Sequence, residues 1–90
     1  MKLLLGLLLF ASLNSIAMGS PENAKLSRST PVLKTPVTQG QMEPVCNSAL
    51  KGTQVQILEK KNYFDVKIRI LNGSCKNKVG WISSESVELS

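Results

Sequence analysis

The chain has 90 residues, 42% hydrophobic and 19% charged, with 11 lysines and arginines against six acids, no histidine and a net charge of +5. That length holds one domain. The lack of histidine removes the commonest general base and metal ligand, and the positive balance favours anionic partners.

The chain opens with Lys2, the apolar run LLLGLLLFA (Leu3 to Ala11) and the small-residue stretch SIAMGS. This is the pattern of a signal peptide over residues 1–19, with cleavage expected after Gly19 and with Ala17 and Ala24 as alternative points. The run is shorter than the roughly 20 apolar residues a spanning helix needs. No cysteine follows it closely for lipid attachment. An exported protein is expected, periplasmic or extracellular, without a transmembrane anchor once the leader is removed. Taking 19 residues from 90 leaves 71, and losing Lys2 lowers the charge to +4.

Residues 20–30, SPENAKLSRST, are polar with no clear period and read as a flexible lead-in to a domain over residues 31–90. PVLKTP is a short segment fenced by prolines, as an edge strand would be. VTQGQMEPVCNSALKG is punctuated by Gly40, Pro44 and Gly52 and reads as a long ordered loop ending in a turn. GTQVQILE alternates, with Val55 and Ile57 inward and Gln54 and Gln56 outward. YFDVKIRIL alternates more strongly, placing Phe64, Val66, Ile68 and Ile70 on one face and Asp65, Lys67 and Arg69 on the other. NGSCKN is a turn, KVGWIS a short strand, and SVELS a last one. No stretch after residue 30 has a helical period, and short strands separated by turns point to a small all-β barrel or roll.

A domain of 71 residues buries a small share of its surface and gains little from core packing alone. In an oxidising compartment Cys46 and Cys75, 29 residues apart, read as one disulfide. Closing that loop stabilises on the order of 3–4 kcal/mol. A zinc site and a redox pair are the alternatives, and two cysteines without histidine or C-x-x-C spacing serve neither well.

The order LKGTQVQIL, YFDVKI, NGSCKN, VGWIS and VEL resembles the bacterial SH3-like domain. That family pairs a glycine-led aliphatic strand with an aromatic-valine strand, a turn and a glycine-tryptophan-aliphatic triplet. The likeness covers Val32 to Leu89, although VLKTPV lacks the family's usual first-strand residues. It implies an SH3-like β-barrel of about five antiparallel strands. In that fold the segment holding Cys46 lies beside the turn holding Cys75, and Trp81 belongs to the closing strand. Relatives of the wider fold bind proline-rich peptides through aromatic and proline side chains, but Ser83 and Ser86 stand at two of those positions here. Proline-motif binding is therefore not expected.

The expected binding residues are Lys67, Arg69, Lys76 and Lys78 for charge, with Tyr63 and Trp81 for stacking. Each has a plainer reading. Trp81 can be core packing, Tyr63 can pack on a barrel rim, and lysines on a strand also block edge pairing. Asn72-Gly73-Ser74 matches a glycosylation acceptor, although Gly73 makes a tight turn the simpler account. Six cations, Lys60, Lys61, Lys67, Arg69, Lys76 and Lys78, crowd the hairpin region against Asp65 alone. No catalytic residue, metal or cofactor is expected, since no base, free thiol or acid pair is evident. The expected role is a non-catalytic exported module binding peptidoglycan or another anionic envelope polymer. The alternative is an interaction or inhibitor module acting on another exported protein. Nucleic acid is not expected as a partner, given export and the scarcity of aromatics.

Overall fold

Alternating β-branched and polar residues set the middle of the sheet, and the rest is assembled around it. The computed structural model describes residues 21–90, so the leader expected over residues 1–19 lies outside the described residues. Seven strands form one sheet: β1 (Glu22–Leu26), β2 (Thr30–Leu33), β3 (Pro44–Ala49), β4 (Gln54–Lys61), β5 (Asp65–Ile70), β6 (Val79–Ser83) and β7 (Val87–Leu89). Their order is β3-β2-β6-β5-β4-β1-β7, and every ladder is antiparallel. Among the described residues, two 3₁₀ turns, Val37–Gln39 and Ser84–Ser86, interrupt the strands. No α-helix occurs among the described residues, and none of their helices is long and apolar enough to cross a membrane.

The strands alternating in sequence alternate in burial. Val55 and Ile57 of β4 and Val66, Ile68 and Ile70 of β5 join Ile82 of β6 in one apolar cluster. Ala24 and Leu26 from one end of the sheet, and Val32 and Cys46 from the other, belong to the same cluster. The sheet is therefore curled around a single core. Its end strands, β3 and β7, share no ladder, so the closure expected of a barrel is not made by strand pairing.

Several expectations are corrected here. The polar lead-in contains β1, which pairs with β4 on one side and β7 on the other. Glu, Asn, Ala and Lys are weak strand formers, so the neighbours, not local propensity, hold this segment extended. Ala24 and Leu26, each 1% exposed, supply its only inward face. The expected loop before Gly52 contains β3, paired with β2 through a bulged register. These additions raise the strands from about five to seven. Phe64 is 61% exposed instead of inward. The preceding Asn62 has φ 49° and its Oδ1 accepts a hydrogen bond from Phe64 N at 2.7 Å, a turn that takes Phe64 out of the strand's alternation.

A register shift between Ile57 and Glu59 makes Leu58 the extra residue of a bulge in β4. Beyond it Lys60 stands opposite inward Val66, and Glu59 opposite Lys67. At β6 the strands come unusually close: a Cβ on Gly80 would lie 2.6 Å from the carbonyl oxygen of Leu33. This gives the glycine-tryptophan pair a physical reading, since Gly80 lets β2 approach and the next side chain points to the opposite face.

Cys46 and Cys75 form a disulfide with Cα atoms 6.1 Å apart. It ties β3 to the β5–β6 turn, where Gly73 and Asn77 have φ 88° and 75°. Asn77 N donates to Ile70 O at 2.7 Å, and Asn72 Oδ1 accepts from Gln54 N at 3.0 Å, so the turn is fixed from both sides.

Candidate functional site

The outward face of β5 carries Asp65, Lys67 and Arg69, in the alternation the sequence predicts, but it is not uniformly open. Asp65 is 1% exposed. The β2–β3 connection folds over that end of the sheet, and Thr38 donates to the carboxylate through its backbone N at 3.2 Å and through Oγ1. Asn62 Nδ2 donates a third bond at 3.3 Å. One carboxylate thus latches two connections. Burial alone would raise the Asp65 carboxyl. The hydrogen bonds, led by those from Thr38, outweigh it and leave the carboxyl below its ordinary value.

A lowered value in the folded state means that the ionised form stabilises the fold. That contribution is complete above the ordinary carboxylate range and is lost as pH falls from about 4 through the lowered value. Asp65→Asn would set an amide donor against the Thr38 donors. It is expected to cost about 1–3 kcal/mol at neutral pH and to flatten the acid limb of a stability–pH profile followed by Trp81 fluorescence in urea.

Trp81 stands opposite Lys67 on β5 and Leu33 on β2. It points outward yet is only 8% exposed, buried apart from the main core. Little of its ring faces solvent, which favours the packing reading of Trp81 over the stacking one. Lys67 Nζ lies 6.0 Å from the ring centroid, a distance at which the cation is attracted to the ring face.

Lys78 Nζ donates to the Val45 carbonyl at 3.1 Å, reaching from the β5–β6 turn to β3. Lys76 is exposed in the same turn. Tyr63 is 90% exposed in the β4–β5 turn, at the far end of β5 from Lys76 and Lys78. Lys76 and Lys78 thus lie at the β5–β6 turn, Arg69 near the end of β5 that enters it, Lys67 in mid-strand, and Tyr63 at the other end. Beside Tyr63 lies a cleft of ≈ 290 Å³ with Ile57, Val66, Val87 and Leu89 among its lining residues.

Ion pairing sharpens the charge pattern. Glu22 pairs with Lys60 at 3.2 Å, Glu43 with Lys34 at 2.9 Å, Glu85 with Arg28 at 3.5 Å and Glu88 with Lys25 at 3.6 Å. Those four exposed pairs contribute little stability each, but they match four cations with four acids. Among the described residues, six cations have no carboxylate within 4 Å, Lys51, Lys61, Lys67, Arg69, Lys76 and Lys78, of which the last four belong to β5 and the turn after it, and Asp65 is occupied by its latch. Glu59, opposite Lys67, is the one acid near them outside these pairs. Sequence reading found the cations because strand alternation is local, and missed the Glu22–Lys60 pair and the Thr38 latch because both join distant segments.

Comparison with protein-family models, curated proteins and solved structures finds no match to this chain.

Proposed function

We propose that this chain is a non-catalytic, exported binding module built on an SH3-like architecture, and that it engages an anionic polymer of the bacterial envelope through the outward face of the β5–β6 hairpin. The observation that carries this reading is the uneven neutralisation of charge: four ion pairs match acids elsewhere, while Arg69, Lys76 and the cations beside them have none. Guanidinium and ammonium groups at this spacing meet carboxylates or phosphates of a polymer at several points at once. The leader-like N-terminus and the disulfide are compatible with export, and with peptidoglycan or an attached anionic polymer as the partner. A non-catalytic role fits a chain without histidine whose cysteines are joined and whose one buried carboxylate is committed to a latch.

The test is sedimentation with purified sacculi across a salt series. Binding is expected at low salt, with loss of at least tenfold in affinity when salt is raised severalfold, as the condensed charge of a polymer is screened. Lys67→Glu with Arg69→Glu should abolish it, while circular dichroism stays unchanged. Sacculi that fail to retain the protein at low salt would overturn the reading.

A second reading, an interaction or inhibitor module for another exported protein, has its own observation. Tyr63 and Leu89, 90% and 59% exposed, stand beside the apolar cleft at the other end of the molecule. A partner captured at high salt and lost on Tyr63→Ala would favour it.

A further inference from the structure

Charge alone does not use the whole outward face. Strand register sets Asn23 of β1 opposite Gln56 of β4, and Gln56 opposite Arg69 of β5. Their inward neighbours Ala24, Val55, Ile57, Ile68 and Ile70 are buried, so all three side chains point outward from one continuous stretch of sheet. Gln54, opposite Lys25, extends the row diagonally. None of these carboxamides makes a side-chain hydrogen bond within the described residues, and Arg69 has no ion pair. A hollow of ≈ 270 Å³ lies alongside, lined by Asn23, Gln54, Leu71 and Ser90.

We infer that this row is a subsite for a carboxylated glycan strand, the chemical class of polymer that the basic face binds; the inference rests on the envelope-binding reading. Each carboxamide offers donors and an acceptor together, which is what a sugar hydroxyl pair requires and what a bare phosphate chain does not use. The guanidinium takes a carboxylate by two parallel hydrogen bonds. Adjacent strands stand about 4.8 Å apart, close to the length of one sugar unit in a 1→4-linked chain, so a glycan laid across β1, β4 and β5 meets one polar side chain per unit. Half-buried Leu71 offers an apolar patch at the margin for a sugar face. The carboxylates that would repel such a strand are largely neutralised: Glu22 and Glu88 are paired with Lys60 and Lys25.

The experiment titrates the full mature chain with three soluble polymers: polygalacturonate oligomers, their methyl esters, and polyphosphate of similar length. The carboxylated oligomers are expected to bind and to retain affinity at salt that releases polyphosphate, and the neutral esters to bind more weakly. Asn23→Ala and Gln56→Ala should each lower affinity for polygalacturonate about tenfold and leave polyphosphate unchanged. Arg69→Lys keeps the charge but loses the two-point contact that guanidinium makes with carboxylate and phosphate alike, and should weaken both anions, unlike the carboxamide variants. All three positions are exposed or half-exposed, and unchanged circular dichroism excludes misfolding. Equal loss for both anions in the Asn23 and Gln56 variants, or no loss in either, would overturn the glycan subsite while leaving sacculus binding by charge intact. Failure of the wild type to bind sacculi at all would instead remove the reading on which it rests.

Discussion

Gly80→Ala is expected to destabilise the protein by about 3 kcal/mol, the upper end of what one added methyl costs in a tightly packed site. The new Cβ would meet the Leu33 carbonyl oxygen at 2.6 Å, Val32 Cγ1 at 2.8 Å and Val45 Cγ2 at 2.9 Å. Two of these neighbours are side-chain methyls, which can turn aside. The third is backbone within the β2–β6 ladder, and moving it strains the only register pair between those strands, Leu33 with Trp81. A second change, Val45→Ala, is therefore expected to restore part of the loss but not all of it. Urea titrations read by Trp81 fluorescence should show a lower midpoint with an unchanged slope. A midpoint equal to that of the wild type would mean that β2 sits farther from β6 than described.

Removing the disulfide is expected to cost about 2–5 kcal/mol, a large part of the stability of so small a domain. The bridge closes a separation of 29 residues and joins two segments with little else between them. β3 is an end strand with a ladder only to β2. The turn at Cys75 is otherwise fixed to β4 and β5, on the opposite side. Among the described residues, Lys78 to the Val45 carbonyl is the one hydrogen bond between turn and β3. Alanine suits the test better than serine at Cys46, which is 2% exposed and would bury a hydroxyl. The Cys46→Ala, Cys75→Ala variant should unfold at lower urea and ignore added reductant, whereas the wild type should fall toward it when reduced. Reductant without effect on the wild type would contradict this account.

The parts of this architecture that could be read from sequence are those in which one residue and its second neighbour carry the information. Val66, Ile68 and Ile70 against Lys67 and Arg69 define a strand with two faces, and the fold keeps that division. What escaped the reading depends on residues far apart. β1 has two inward side chains and is extended because β4 and β7 flank it. Asp65 follows the predicted alternation yet is buried, since Thr38, 27 positions earlier, folds over it. Trp81 is buried on the same face as Lys67, which it stands opposite. The basic patch was legible as a list of cations, whereas its contrast with the ion-paired Lys25, Arg28, Lys34 and Lys60 required Glu22, Glu43, Glu85 and Glu88 to be placed in space. The carboxamide row was present in the sequence as ordinary polar residues. Only strand register aligns Asn23 with Gln56 and Arg69.

The earliest described strand, β1, has the last one, β7, as its neighbour, with Ala24 opposite Leu89 and Leu26 opposite Val87. A nascent chain therefore cannot complete this sheet until β7 has been synthesised. Until then β1 can pair on one side only, and the intermediate keeps an open, pairing-competent border. Loss of β7 would accordingly be felt at β1, more than 60 positions away along the polypeptide.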